Sequence, residues 1–499
     1  MSGAGVPDFR QPAPGVTLAE VCGLLTLPAV PGSVTGVTLD SRAVQPGDLY
    51  AALPGANTHG ARFAAGAVEL GASAILTDPE GAGMAGDLGV PLLIVADPRS
   101  VLGAVSVLVY GHPAQQLRTF GVTGTNGKTT ATYMLAAALE ELGVPTGTIG
   151  TTGTFVAGRR IPTARTTPEA PDVQALMALM ADEGAQALAM EVSSHALTLG
   201  RVDGIRFDVA AFTNLSPDHL DFHGSMGEYF AAKASLFTPE RASCGVINLD
   251  DEWGRQLADD TDIPHSTYAL SGPADWQVGD IEAAARGSSF TVLHGDRKLP
   301  AFIAAPGTFN IANALAAVAM LVADGHHPEH AVAALRAFRG VPGRMEVVPG
   351  APDDPAVIVD YAHTPDAVER ALRAVRPLTQ GRIWCVLGCG GDRDPSKRPA
   401  MGRIAATLSD QLIVTDDNPR SEVPAEIRAV VLAGAREITG EVIEIGDRGE
   451  AIARAISAAG PGDTVMILGK GHETGQEVAG VVYPFDDCLV AAAQLEARA

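Results

Sequence analysis

The chain has 499 residues, enough for about three domains at roughly 150 residues each and for more than one buried core. Thirty-five basic against 58 acidic residues leave a formal charge of −23. Such a chain repels nucleic acid and anionic membrane, so a phosphorylated ligand must be met by a local group of cations and amide donors. Apolar content of 46% with only 5% aromatic residues suits an Ala- and Val-rich α/β protein.

The first block, residues 15–112, shows strands at 36–39 and 74–76 and a helical stretch at 63–70. Gly111-His112-Pro113 reads as a linker, because glycine and proline both interrupt regular structure. A second block opens on an apolar strand at 119–122, passes through Gly121-Val122-Thr123-Gly124-Thr125-Asn126-Gly127-Lys128-Thr129-Thr130 and leaves in a helix over 130–142. Glycines let such a backbone turn its N–H groups inward on an anion, and the following helix adds the positive end of its dipole. Lys128 is spaced to reach the β/γ-phosphates of a nucleotide and the Thr129 hydroxyl to bind Mg²⁺. The usual spacing wants a glycine where Val122 stands; the glycines are Gly121 and Gly124, which makes this an ATP loop of an unusual variety. A bare Gly-rich turn is the bland alternative.

Strands at 187–192, 209–213 and 245–249 alternate with helical segments, the pattern of a parallel sheet covered on both faces. Pro306-Gly307-Thr308-Phe309-Asn310 then opens an Ala-rich helix to about residue 324. A third block begins near Gly343-Arg344, with strands at 356–360, 383–387, 411–415 and 465–468 and helices such as 365–375. In doubly wound sheets ligands gather at the carboxyl ends of strands. The segments 360–363, 388–393, 416–420 and 469–473 all follow strands directly.

The expected fold is therefore α/β in three domains: a smaller N-terminal α/β domain (1–114), a central P-loop ATPase-type parallel sheet (115–342) and a C-terminal Rossmann-like doubly wound sheet (343–499). No apolar run approaches the ~20 residues needed to span a bilayer. Residues 1–14 hold no basic stretch followed by an apolar one, so no signal peptide is read. Five scattered cysteines without Cys-x-x-Cys spacing suit a reduced cytoplasm better than a disulfide scaffold or zinc site.

Glu191 and His219 each end a strand of the second block, and a carboxylate with an imidazole there could share a metal ion. A capping or core histidine is the other reading of His219. Lys233, in an amphipathic helical stretch, reads from its own neighbours as a solvated lysine. Asn310 and Asn313 open the Ala-rich helix, where amides commonly serve as N-caps.

The phosphate loop, Met190-Glu191-Val192-Ser193-Ser194-His195, Asn214-Leu215-Ser216-Pro217-Asp218-His219-Leu220-Asp221 and Tyr361-Ala362-His363-Thr364-Pro365 follow one another in that order. Together they resemble the Mur ligases, ATP-dependent amide-forming enzymes of peptidoglycan precursor synthesis, and the resemblance covers nearly the whole chain. It implies ATP on Gly124, Thr125, Asn126, Gly127, Lys128, Thr129 and Thr130, with Asn310 reading adenine and Arg344 and Asp360 meeting phosphate and ribose. It further implies Mg²⁺ on Thr129, Glu191, His219 and a CO₂-derived carbamate of Lys233, a group that turns a repelling ammonium into an anionic oxygen ligand.

For the nucleotide-sugar dipeptide, UDP-MurNAc-L-Ala-D-Glu, the resemblance points to Leu39, Ser41, Ala56, Asn57 and Thr58, then Thr166, Thr167, Ser193 and Arg201. Leu199 and Arg165 depart from the family's usual glutamine and its usual asparagine or small residue. The incoming amino acid is implied by Asp417-Asn418-Pro419-Arg420 with Arg393, Gly469 and Glu473. In the family this four-residue word marks users of meso-diaminopimelate, whose distal carboxylate suits a planar, two-pronged arginine. Lys128, Lys233 and His363 are the expected catalytic residues, His363 as an aid to removing the amine proton. A lysine- or ornithine-adding ligase is the nearer alternative, and a non-catalytic ATP-binding regulator the remote one. A cytoplasmic monomer without nucleic-acid partners completes the expectation.

Overall fold

The computed structural model describes residues 9–10, 15–55, 57–163 and 165–498. The chain divides into two compact units, 1–277 with 315–334 and 278–314 with 335–499.

Besides a short antiparallel pair, Val16–Thr17 with Ser33–Val34, the first unit holds two larger sheets. The smaller is parallel throughout, in the order β1 (Gly36–Thr38), β2 (Asp48–Ala51), β3 (Ala74–Thr77), β4 (Leu92–Ile94). Helix α1 (Pro98–Val109) follows, started by Asp97, whose carboxylate accepts from the Arg99 and Ser100 amides. Gly103 of α1 approaches the chain at Asp203 so closely that a Cβ there would lie 2.4 Å from the Asp203 carbonyl oxygen.

The larger sheet begins with β5 (Arg118–Thr123), which runs into helix α2 (Lys128–Glu141). It continues with β6 (Thr146–Gly150), β7 (Gly153–Val156), β8 (Arg159–Ile161), helix α3 (Ala170–Asp182), β9 (Ala187–Glu191) and the short helix α4 (Ser194–Thr198). After these come β10 (Phe207–Phe212), helix α5 (Met226–Ala234), β11 (Ala242–Asn248) and β12 (His265–Tyr268). The order is β8-β7-β6-β9-β5-β10-β11-β12. Six strands are parallel, as the alternating pattern predicts; β7 and β8 add an antiparallel edge that the sequence reading does not contain. All of β9 is buried, and its only charged residue is Glu191 at the carboxyl end. Sheets covered on both faces make such apolar runs.

The second unit contains a three-stranded antiparallel sheet, β13 (Gln277–Ala284), β14 (Gly287–His294) and β15 (Arg297–Ile303), also absent from the sequence reading. Helix α6 (Thr308–Ala323) follows, within which the chain passes back to the first unit. The main sheet of the second unit is built from β16 (Glu346–Val348), β17 (Ala356–Asp360), β18 (Ile383–Cys389), β19 (Gln411–Asp416), β20 (Val442–Glu444) and β21 (Thr464–Leu468). Its order is β16-β17-β21-β18-β19-β20, parallel except for the edge strand β16. A hairpin of β22 (Gly475–Val478) and β23 (Val481–Pro484) leads to the last helix. Every residue of β18 is buried, and two apolar clusters fill the opposite faces of this sheet. Among the described residues no helix is long and apolar enough to cross a membrane. The five cysteines are free thiols, with Cys22, Cys385 and Cys389 buried.

Candidate active site

In the first unit the site gathers at the carboxyl ends of β5, β9 and β10. The phosphate loop leaves β5 through Gly124 (φ +144), where a Cβ would lie 1.9 Å from Thr213 Oγ1. Gly127, in the left-handed region, starts α2. Only glycine takes such positions at no steric cost. The segment after β10 holds the loop in shape. Thr125 N donates to Asn214 O at 2.8 Å, Asn126 N to Asn214 Oδ1 at 2.9 Å, and Thr213 Oγ1 to Asn126 O at 2.6 Å. Lys128 folds its ammonium back on the carbonyls of Gly124 and Thr125, at 3.0 and 2.9 Å. Burial pulls its pKa below the ordinary lysine value, with Glu191 and Asp218 opposing.

The Thr129 hydroxyl donates to Glu191 Oε2 at 3.0 Å, so two of the expected metal ligands are adjacent. Glu191 is buried, and Thr151 donates to it from both its amide (2.7 Å) and its hydroxyl (3.1 Å). His219 is exposed and stands 3.5 Å from the Asp218 carboxylate, with its ring edge-on to His195 at 4.8 Å. Among the described residues no three His, Cys, Asp or Glu side chains are grouped tightly enough to hold an ion alone.

Lys233 overturns the reading of a solvated side chain. It is 1% exposed, donates to Gly124 O at 2.7 Å and lies 4.7 Å from the Tyr229 ring. Burial first, then the Lys128 charge, pulls its pKa down to about 6. Amphipathic periodicity places Lys233 on α5 without saying that the phosphate loop covers it. Asn214, the first residue of one quoted motif, holds the loop, while Tyr229, whose phenol meets Thr125 Oγ1 at 3.1 Å, and Thr151 are further contributors that the motif reading does not single out. Their signal is only proximity to the motifs.

Thr167 and Ser193 are brought together: the Thr167 hydroxyl donates to Glu191 O at 2.8 Å and accepts from Ser193 N at 3.2 Å. The Thr166 hydroxyl meets Thr151 Oγ1 at 3.1 Å. Ser193 also caps α4, accepting from Ala196 N. Arg201 donates to Thr167 O at 3.4 Å and its Nε lies 3.0 Å from Glu169, a carboxylate also faced by Arg165 and Arg99. Leu39 and Ser41 follow β1, while Asn57 and Thr58, both exposed, follow the neighbouring parallel strand β2. Ala56 lies outside the described residues.

The second unit carries the remaining candidates. Asn310 and Asn313 are buried; Asn310 Nδ2 donates to Pro306 O at 2.8 Å, and Asn313 Nδ2 to Asn310 Oδ1 at 3.3 Å. Asp360, at the end of β17, accepts from Met345 N and Ala362 N, at 2.8 and 2.9 Å, while burial pushes its carboxyl above the usual range. The Arg344 guanidinium lies 5.4 Å from the Tyr361 ring. His363 is exposed and its Nδ1 is 2.7 Å from Tyr361 O. A carbonyl only accepts, so Nδ1 carries a proton, and in the neutral ring Nε2 is the acceptor.

Asp417 and Asn418 are buried at the end of β19, and Asn418 Nδ2 donates to Glu473 Oε2 at 2.5 Å. Burial pushes Asp417 upward, with Arg448 and then Lys470 pulling against it. Gly469 (φ +122) comes so near that a Cβ would stand 2.4 Å from Asp417 Oδ2. Arg420, after Pro419, has left-handed backbone (φ 52) and is tied by main-chain bonds to Glu477 O and Ala479 N. Its guanidinium donates to Gly391 O at 2.6 Å and lies 3.6 Å from the Glu477 carboxylate, so it faces the neighbouring loop and hairpin. Arg393, on that same loop, is exposed.

Three family models match in succession: Mur ligase family, catalytic domain, over 33–106; Mur ligase middle domain over 122–321; and Mur ligase, glutamate ligase domain over 343–471. The chain belongs to the Mur ligase family. A relative from Streptomyces avermitilis is 50% identical over 483 residues, covering 95% of each chain; it is named UDP-N-acetylmuramoyl-L-alanyl-D-glutamate–2,6-diaminopimelate ligase. A relative from Leifsonia xyli, 45% identical over 97% of both chains, is named UDP-N-acetylmuramyl-tripeptide synthetase, without an amino acid in the name. A solved structure of a 2,6-diaminopimelate ligase of the same description superposes with a TM-score of 0.72 at 32% identity, covering 97% of this chain and 99% of that one. The three-domain Mur ligase architecture expected from the sequence is that of the family.

Proposed function

We propose that this Mur ligase joins meso-2,6-diaminopimelate to UDP-MurNAc-L-Ala-D-Glu at the expense of ATP, giving the tripeptide product, ADP and phosphate. The observation that carries the choice of amino acid is Arg420. Its backbone is fixed by the hairpin and its guanidinium held on Gly391 O, and it follows in sequence buried Asp417 and Asn418, the latter bonded to the Glu473 carboxylate. That arrangement offers a two-pronged cation to one end of a zwitterion and carboxylates to its ammonium groups. Lysine and ornithine lack the distal carboxylate.

The γ-carboxylate of D-Glu attacks the γ-phosphorus of ATP, the bond to the β-bridging oxygen breaks, and ADP leaves an acyl phosphate. The free amine then attacks the acyl carbon, loses a proton and expels phosphate. Positioning and electrostatics dominate phosphoryl transfer. The loop amides and Lys128 cradle the phosphates, with Asn310, Arg344 and Asp360 on the nucleotide. Thr167, Ser193 and Arg201 hold the dipeptide, as Leu39, Ser41, Asn57 and Thr58 hold the uridine side. His363 Nε2 is an acceptor for the amine proton.

Mg²⁺ fits the donors present in the Thr129 hydroxyl, which touches the Glu191 carboxylate; His219 does not end a strand as expected, because β10 stops at Phe212, and it stands in the loop just before the short helix Leu220–His223 of the same unit. A carbamate on Lys233 fits as well, since only a neutral amine adds CO₂ and a pKa of about 6 leaves this one neutral at pH 7. Bound there, the ion would offset the charge developing on the transferred phosphoryl group, and the carbamate would serve as an oxygen ligand to the ion. The same reading takes the chain as a cytoplasmic monomer with domain boundaries near 114 and 342; light scattering at assay concentration checks the monomer.

Phosphate release measured with each substrate omitted in turn is the decisive assay. Turnover that requires all three substrates is expected, with lysine a poor replacement for diaminopimelate. Full turnover with lysine would move the assignment to a lysine-adding ligase, and nucleotide binding without any phosphate release to a regulator.

A further inference from the structure

Lys470 is a charged residue without a part in the chemistry above, yet it is 0% exposed. An ammonium taken out of water costs several kcal/mol unless it is fully matched by acceptors. Its acceptors are the Gly475 carbonyl at 2.5 Å and Asn418 Oδ1 at 3.4 Å, with Glu473 Oε2 also at 3.4 Å. Asn418 closes the triangle by donating Nδ2 to that same Glu473 oxygen at 2.5 Å, and its Oδ1 accepts from Glu477 N at 2.8 Å. One cation therefore joins two segments distant in sequence: the end of β19 at Asn418, and the stretch that runs from the turn after β21 into the first strand of the hairpin that anchors Arg420.

The bonding also fixes a direction. Two donors, the Lys470 ammonium and the Glu477 amide, hold Asn418 Oδ1, so Nδ2 must turn to Glu473. A flipped amide would set its NH₂ against both donors. Glu473 keeps one face toward solvent, with its side chain 32% exposed, while Lys470 behind it is closed off.

We propose that Lys470 is the positioning residue of the amino-acid pocket: its buried ammonium orients Asn418 and Glu473 so that the carboxylate presents to the ammonium of the incoming amino acid. This deepens the functional reading above and rests on it.

The test is steady-state phosphate release by Lys470→Met and Lys470→Arg, with KM measured for each of the three substrates. Lys470→Met is expected to raise KM for diaminopimelate at least tenfold, leaving KM for ATP and for the nucleotide-sugar substrate within twofold. Lys470→Arg is expected to recover part of that loss, because it keeps a cation but cannot reproduce a compact three-acceptor site. In the double variant with Glu473→Gln, the two effects on KM should fall well short of multiplying, since Lys470 acts through Glu473. An unchanged diaminopimelate KM overturns the proposal, as does an equal change in all three KM values. If Lys470→Met does not accumulate as folded protein, Lys470→Arg decides alone: a threefold or larger rise confined to diaminopimelate supports the role, and no change overturns it. Wild-type amino-acid dependence, measured alongside, separates this from the functional reading. Should the wild type prefer lysine, the substrate assignment fails and the Lys470 effect is then read on the KM for lysine.

Discussion

Lys233 and Arg420 show what a side chain's surroundings add to its identity. Lys233 is an ordinary helical lysine by sequence, and its depressed pKa of about 6 comes from the covering phosphate loop and the charge of Lys128. Replacing Lys233 with alanine is expected to abolish phosphate release, and added acetate or another small carboxylate to restore part of it. Failure of every small anion to rescue would remove the carbamate from the mechanism. Arg420→Ala is expected to lower kcat/KM for diaminopimelate by on the order of 2–4 kcal/mol, the loss of a charged pair. A decrease below tenfold would sink the role given to Arg420. Most site residues were legible as motif words, but the support on which they depend was not. Tyr229 and Thr151 bond the phosphate loop or Glu191 from segments whose residue types announce nothing by themselves.

Elements behave similarly. The long apolar strands of both main sheets were visible because a strand covered on both faces must be a continuous apolar run. The antiparallel edge β7–β8, the sheet β13–β15 and the hairpin β22–β23 were not, since their half-exposed strands mix polar and apolar residues and are defined by pairing. One pair of helices in the second unit makes a strong element-scale prediction. Arg448 opens the helix Arg448–Ala458 and Asp487 the helix Asp487–Glu496, and their side chains, both 0% exposed, meet at 2.7 Å. Arg448 also bonds Asp416 O and Leu468 O, at the strand ends that lead into the proposed amino-acid site. Arg448→Met strands a buried carboxylate and is expected to cost roughly 3–5 kcal/mol, read as a lowered urea midpoint. Arg448→Met paired with Asp487→Leu should recover much of that loss; no recovery would mean the arginine's carbonyl bonds matter more than the ion pair.

At the scale of the whole molecule the acid surplus makes pH a sensitive variable, and Asp172 gives it a defined sign. Burial raises this carboxyl from 3.8 to about 6 against the pull of Arg10, with Glu169 adding to the rise. A folded-state pKa above the unfolded one favours the protonated folded form. The contribution is therefore complete below about pH 4 and is lost as pH rises through 6. Asp172→Asn is accordingly expected to raise the thermal midpoint at pH 8 and leave it nearly unchanged at pH 4; a midpoint shifted equally at both would refute the assignment.

What the amino-acid sequence by itself determined was the order of the chemistry-bearing words along an alternating strand–helix pattern, and with it the family and the candidate residues proposed for the nucleotide and the amino acid. Local spacing is sufficient there, because a phosphate loop or a strand-end motif is built from consecutive residues. Only the tertiary structure decided that Lys233 and Lys470 are buried, that Glu191 meets Thr129, and that a hairpin steadies Arg420. Those facts arise where segments far apart in sequence converge and exclude water, and desolvation changes a charged group's chemistry in a way that its immediate neighbours in the chain do not encode.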